Sequence, residues 1–199
     1  MESLTSGIQY RHWPVADAKA CVLLVHGLAE HTGRYQRLAA RFNSAGIAVV
    51  GPDHIGHGAS PGERAHVRRF SDYLEPLTAL REHIKEWYPD KPVFLLGHSM
   101  GGLISAHALL VSQKSYHGAM FSGPAFTAVD PVSAPVIWIG RLLRYVFPKM
   151  GMLALNATEV SRDPAVVADY IADPLVYNGK ITTSLGLEIL DAMEAAISR

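Results

Sequence analysis

The sequence predicts a doubly wound α/β domain with a mostly parallel sheet, followed by a helical layer. Three observations carry that expectation. Short apolar runs of the kind buried on both faces of a parallel sheet recur at residues 21–25, 47–50, 93–96 and 119–122, with helical patterns between them. The pentapeptide Gly97-His98-Ser99-Met100-Gly101 stands directly between the run Val93-Phe94-Leu95-Leu96 and a helical stretch over 103–111. After Gly123-Pro124 the pattern changes, because prolines at 131, 135, 148, 164 and 174 punctuate amphipathic helical pieces and no further strand run is expected.

Alternation along Ile8-Gln9-Tyr10-Arg11-His12-Trp13 predicts an antiparallel strand near the sheet edge, and Pro14 with Ala16-Asp17-Ala18 predicts a turn. The first interior strand spans 21–25. Apolar residues spaced by three and four predict helices over 35–45 and 70–87, ending near Gly46 and Pro89. The strand at 93–96 then leads into the glycine-flanked serine. The pattern divides the chain into an α/β core at 1–125 and a helical cap at 126–199. Within the second part, residues 136–147 are strongly apolar with only Arg141 and Arg144 as charges, a segment suited to packing over a site or touching a lipid surface.

Composition narrows the function classes. With 199 residues, 49% of them hydrophobic, the chain can bury a sizeable core. Eighteen basic and eighteen acidic residues leave no net charge to attract nucleic acid, so no nucleic-acid partner is expected. The single cysteine, Cys21, lies inside an apolar run and reads as a small core residue, and one cysteine makes no disulfide within a chain. The segment Met1-Glu2-Ser3-Leu4-Thr5 lacks the basic and apolar regions of a secretory signal, which predicts a cytoplasmic location. The longest apolar stretch, over 132–140, falls short of the ~18 residues of a membrane span.

Ser99 reads as a nucleophile on a strand-to-helix elbow. Glycine two residues before and two after permits so sharp a turn, since side chains there would collide. Acyl transfer through serine needs amide donors where charge develops on the substrate carbonyl, and the amide following the nucleophile, Met100, is the first. The helix dipole favours negative charge at that point. The second donor should lie on the loop after the 21–25 strand, His26-Gly27-Leu28-Ala29-Glu30-His31, and is assigned to Leu28.

Histidines crowd the same region without reading as catalytic. His26, Glu30 and His31 are expected to hold their loop in shape, because adjacent histidines alone do not supply the geometry of a zinc site, and no metal or cofactor is predicted. Asp53 is expected to brace the turn Asp53-His54-Ile55-Gly56-His57-Gly58, with His54 and His57 poor candidates for the base that Ser99 requires. His98 points away from the elbow, and His107 lies well down the next helix. The last histidine is His117, so residues 118–199 hold no imidazole and a triad in the order Ser, acid, His cannot close within them.

Taken together, His26-Gly27-Leu28-Ala29-Glu30-His31-Thr32-Gly33-Arg34-Tyr35, Asp53-His54-Ile55-Gly56-His57-Gly58-Ala59-Ser60 and Gly97-His98-Ser99-Met100-Gly101-Gly102 resemble the monoacylglycerol lipase family of α/β-hydrolases. Ser161-Arg162-Asp163-Pro164 and Asp173-Pro174-Leu175-Val176-Tyr177 look like the cap of the same family, so that the resemblance runs from about residue 8 to 197. It implies Ser99 as nucleophile, Leu28 and Met100 as oxyanion donors, a lid from about Phe126 onward, and hydrolysis of a glycerol ester carrying one fatty acyl chain. Members of that family continue into two more strand units that carry the acid and the histidine. At roughly 30 residues per unit, on the order of 60 to 90 residues lie outside the chain, which predicts a C-terminally incomplete hydrolase fold, inactive alone, with the strand at 119–122 left as a bare apolar edge.

Within the same chemistry a lysophospholipase or broad carboxylesterase is the alternative, and Arg141, Arg144 and Lys149 near the cap suit either a phosphate head group or a solvated helix face. An alternative of another class is a catalytically inactive lipid-binding or interaction module. The expected partner is a small acylglycerol or related lipid ester, with peripheral membrane contact through the cap.

Overall fold

The computed structural model describes residues 1–128, 133–154 and 156–198. Pro131, Val132 and Arg199, which enter the sequence-based expectations, lie outside the described residues.

Six strands form the main sheet in the order β1-β2-β4-β3-β5-β6. β1 (Glu2–Ser3) and β2 (Gln9–Trp13) are antiparallel additions at one edge, Tyr10 pairing with Pro52. The parallel part comprises β4 (Ile47–Pro52), β3 (Ala20–Val25), β5 (Val93–His98) and β6 (Gly118–Ser122). Every residue of β3 is buried, as a central strand covered on both faces requires.

Alternation along β3 divides the core. Cys21, Leu23 and Val25 face the larger cluster, where α2 (Leu74–Trp87) contributes Leu77, Leu80 and Ile84, and α3 (Met100–Ser112) contributes Leu103 and Ile104. Val22 and Leu24 face the other side, packed with Val49, Leu96 and Ala39 of α1 (Gln36–Ser44). Helices on both faces make the doubly wound layer architecture that the sequence predicts. Each expected helix is present, with short 3-10 turns at Thr32–Tyr35 and Phe70–Tyr73 leading into α1 and α2.

β6 has β5 as its only neighbour among the described residues, and Met120 and Phe121 are exposed along it. This is the bare apolar edge foreseen from the sequence.

After β6 come α4 (Ala134–Val146), α5 (Pro164–Ala172) and α6 (Thr183–Ile197). The expectation of no further strands is corrected here: β7 (Gly151–Ala154) and β8 (Lys180–Thr182) form a two-stranded antiparallel ribbon. Four and three residues are too few to display a period of two, and pairing across some thirty residues leaves no local mark in the sequence. α6 anchors this half of the chain to the core, its Leu185 and Ala192 joining the larger cluster and the Ala192 carbonyl lying 2.9 Å from His107 Nε2 on α3.

Candidate active site

Ser99 sits where β5 ends and α3 begins, with φ 51° and ψ −120°. A non-glycine residue at such angles is strained and persists only when its surroundings hold it. They do so on both sides. The Ser99 amide donates to the Ser122 carbonyl at 3.1 Å, and its carbonyl accepts from Gly102 at 2.9 Å and from Ala125 at 3.0 Å.

The flanking glycines are there because the chain folds back on itself. A Cβ on Gly97 would lie 2.5 Å from both the Gly101 carbonyl oxygen and Ser105 Oγ, and one on Gly101 would press into the carbonyl oxygens of Val25 and His26. The expected reason for the two glycines therefore holds in space. Ser99 is half-buried at the end of the parallel strands, where open α/β sheets place their sites.

The loop after β3 reaches the same point. A Cβ on Gly27 would lie 3.4 Å from Ser99 Cβ and 3.3 Å from His98 Cδ2, so this loop and the elbow are in direct contact. Ala29 takes a left-handed conformation, φ 63°, in the turn that carries the Leu28 amide. Glu30 fixes the loop from inside, accepting from the Gly27 amide at 2.7 Å and the Tyr35 hydroxyl at 2.6 Å. Among the described residues the Leu28 amide meets no protein acceptor, and the Met100 amide opens α3, where the first turn has none within the helix.

The histidines divide as expected. His26, His54 and His57 are buried together, the His26 and His54 ring centres 4.0 Å apart. Burial holds all three well below the ordinary histidine range, His54 to about 3 and His57 to about 4, reinforced by repulsion from His57 for His54 and, with the opposing pull of the Ile55 carbonyl and Asp53, from Arg64 for His57. Such rings are neutral and structural. Asp53 braces its turn, taking the Thr32 amide at 2.9 Å and hydroxyl at 2.6 Å on one oxygen and the Ala59 amide at 2.9 Å on the other. His98 turns toward the Ser122 carbonyl, 2.9 Å away. Among the described residues no histidine forms a hydrogen bond with the Ser99 hydroxyl.

The structure adds contacts that sequence reasoning did not foresee. Asp173 meets His31 at 2.9 Å, the Tyr177 amide donates to the Ala29 carbonyl at 2.9 Å, and Arg34 lies 4.5 Å above the Tyr170 ring of α5. All three tie the second half of the chain to the loop beside Ser99. Their sequence separation, 142 residues for His31 and Asp173, hides the contacts, although Asp173 opens one of the motifs quoted above.

Residues 16–199 match the family described as serine aminopeptidase, S33. The chain is 39% identical over 185 residues to a monoacylglycerol lipase of Mycolicibacterium smegmatis, covering 92% of this chain and 66% of that protein. It is 34% identical over 186 residues to the monoglyceride lipase of Rattus norvegicus, covering 92% and 61% respectively. The chain thus spans less than two thirds of these curated relatives. Among solved structures, the monoacylglycerol lipase of Paleococcus ferrophilus superposes with a TM-score of 0.84 at 30% identity, covering 96% of this chain and 72% of that one.

Proposed function

Because the chain belongs to the α/β-hydrolase family described as serine aminopeptidase, S33, we propose that it carries the nucleophile, oxyanion donors and cap of a serine ester hydrolase that cleaves monoacylglycerol to fatty acid and glycerol. The observation that carries this reading is the strained Ser99 elbow in contact with the Gly27 loop. In the proposed reaction the Ser99 hydroxyl attacks the ester carbonyl while an imidazole takes its proton. The Leu28 and Met100 amides receive the developing oxyanion. Glycerol leaves with that proton, and water then releases the fatty acid from Ser99. The imidazole and its carboxylate partner are assigned to sequence following residue 199 in the whole protein, in keeping with the greater length of the relatives.

We assign residues 126–199 to the cap, with α6 as its anchor on α3. On α4, Trp138 and Tyr145 are 67% and 89% exposed, and Ile139 and Leu142 50% and 57%. Such a helix suits peripheral contact with a lipid surface, from which a monoacylglycerol would be drawn. No helix among the described residues is long and apolar enough to cross a membrane.

A neutral glycerol head group fits the cap better than a phosphate. Arg141, Arg144 and Lys149, which share a cleft of about 1000 Å³ with Arg68 and Arg69, are each already paired, with Asp191, Glu188 and Glu63. The test is fatty-acid release by the full-length protein from monoacylglycerol and from lysophosphatidylcholine. The proposal expects the first to be preferred and Ser99→Ala to lower it on the order of 10⁴- to 10⁶-fold. Preference for the second substrate would overturn the choice of head group.

A further inference from the structure

Beneath the oxyanion loop, three buried polar atoms meet no protein partner: His54 Nδ1, His57 Nε2 and the Tyr73 hydroxyl. Their rings pack edge to face. Tyr73 lies 5.3 Å from His54 and 6.3 Å from His57 between ring centres, the histidines are 6.1 Å apart, and the three planes are steeply inclined. Orphaned buried polar groups are rare and costly, so three of them on rings that pack against one another call for a common explanation.

The hydrogen-bond inventory supplies it. His54 Nε2 lies 3.0 Å from the His26 carbonyl, and His57 Nδ1 lies 3.0 Å from the Ile55 carbonyl. A carbonyl only accepts, so each of these nitrogens carries the ring's proton, and the opposite nitrogen of each neutral ring is an acceptor. Tyr73 is left with a hydroxyl to donate, and its burial and the nearby Asp72 charge push its pKa up, keeping the proton in place. Two acceptors and one donor are the complement of one water molecule, which has two protons to give and accepts a third bond. Among the described residues no group of three metal-ligating side chains converges.

We propose that a single buried water donates to His54 Nδ1 and His57 Nε2, accepts from Tyr73, and makes Tyr73 a positioning residue for the loop that carries the Leu28 amide. The connection is continuous. The His54 amide donates to His26 Nε2 at 2.9 Å while His54 Nε2 donates to the His26 carbonyl, which clamps His26 from both sides. His26 Nδ1 in turn donates to the Gly27 carbonyl at 2.7 Å, one residue before Leu28. Each histidine is thereby held in one tautomer, and the backbone beside Ser99 is held with it. The water site stands on the tautomers and the packing of the three rings, whereas its effect on reaction rests on the serine-hydrolase reading above.

The water and its effect are tested separately in the full-length protein. A high-resolution crystal structure should show one ordered water within hydrogen-bond distance of all three atoms, and ¹⁵N spectra should show opposite tautomers, protonated at Nε2 in His54 and at Nδ1 in His57. A dry site, a direct Tyr73–histidine bond, or equal tautomers would overturn the proposal. Tyr73→Phe keeps the ring and removes only the donor. It should shift the His54 Nδ1 and His57 Nε2 resonances and lower kcat with KM unchanged, by less than the roughly 10²-fold cost of losing an oxyanion donor. Unmoved resonances and kcat in that variant would reduce Tyr73 to packing. Failure of the serine-hydrolase reading would show separately, as wild-type protein without turnover whose water and tautomers are still as described.

Discussion

His31 Nε2 and Asp173 Oδ2 lie 2.9 Å apart, joining the loop beside Ser99 to the segment that follows α5. Burial opposes the Asp173 charge, but the His31 hydrogen bond, the Leu175 amide and Arg34 outweigh it and hold its pKa below the ordinary 3.8. A carboxylate with a lowered pKa contributes stability above its unfolded pKa and loses it as pH falls through the folded one. The Asp173 share of this tie should therefore persist at pH 5 and fail only in stronger acid.

Asp173→Ala should release the segment around residues 164–182 locally rather than unfold the core. A quarter of the Asp173 side chain is exposed, so the expected cost is about 1 kcal/mol, below that of a fully buried charged hydrogen bond. Hydrogen exchange should rise over residues 164–182 and in the 28–31 loop, while the β3 and β5 amides keep their protection. Uniform loss of protection would contradict a local tie.

The buried histidines predict a different pH response. His26, His54 and His57 are neutral when folded, with pKa values below the 6.5 of an exposed imidazole. As pH drops below about 6.5 the unfolded chain takes up protons that the native one refuses, and stability falls until the folded pKa values, about 3 for His54 and about 4 for His57, are reached. At about 1.4 kcal/mol per pKa unit, each buried ring should cost about 3 kcal/mol between pH 7 and pH 4, so urea denaturation should show a loss of at least several kcal/mol over that range. A flat profile over that range would mean that the cluster is open to bulk solvent.

Glycine substitutions separate the elbow from the cap. Gly97→Ala should destabilise by roughly 1–3 kcal/mol or more, because its methyl meets backbone at 2.5 Å where nothing can yield. Gly140→Ala on α4 meets Leu187 no closer than 3.6 Å, and should stabilise by about 0.5–1 kcal/mol through helix propensity. Thermal melts of the two variants should move in opposite directions, and a tolerated Gly97→Ala would contradict the packing at the elbow.

Membrane contact through α4 predicts that Trp138→Asp and Ile139→Asp weaken partitioning onto lipid vesicles while leaving the melting temperature nearly unchanged, since both side chains are half exposed or more. Equal partitioning of wild type and variants would remove α4 from the lipid-facing surface.

The parts legible in the sequence are those with local causes. The parallel strands announce themselves as apolar runs because both faces are covered, and the elbow shows through Gly97 and Gly101 because backbone collision dictates them. The bracing role of Asp53 was readable from the tight turn in which it sits. What stayed hidden depends on distant partners. The β7–β8 ribbon, the His31–Asp173 tie and the packing of Tyr73 against two histidines come from contacts between residues 16 to 142 positions apart, and no periodicity records them.

The most direct test of the account is covalent labelling of the full-length protein with a serine-directed phosphonate, followed by peptide mass analysis. The account predicts one adduct, on Ser99, formed in step with the loss of monoacylglycerol hydrolysis and absent from Ser99→Ala. Full turnover by Ser99→Ala, or inactivation with the adduct on another residue, would contradict it.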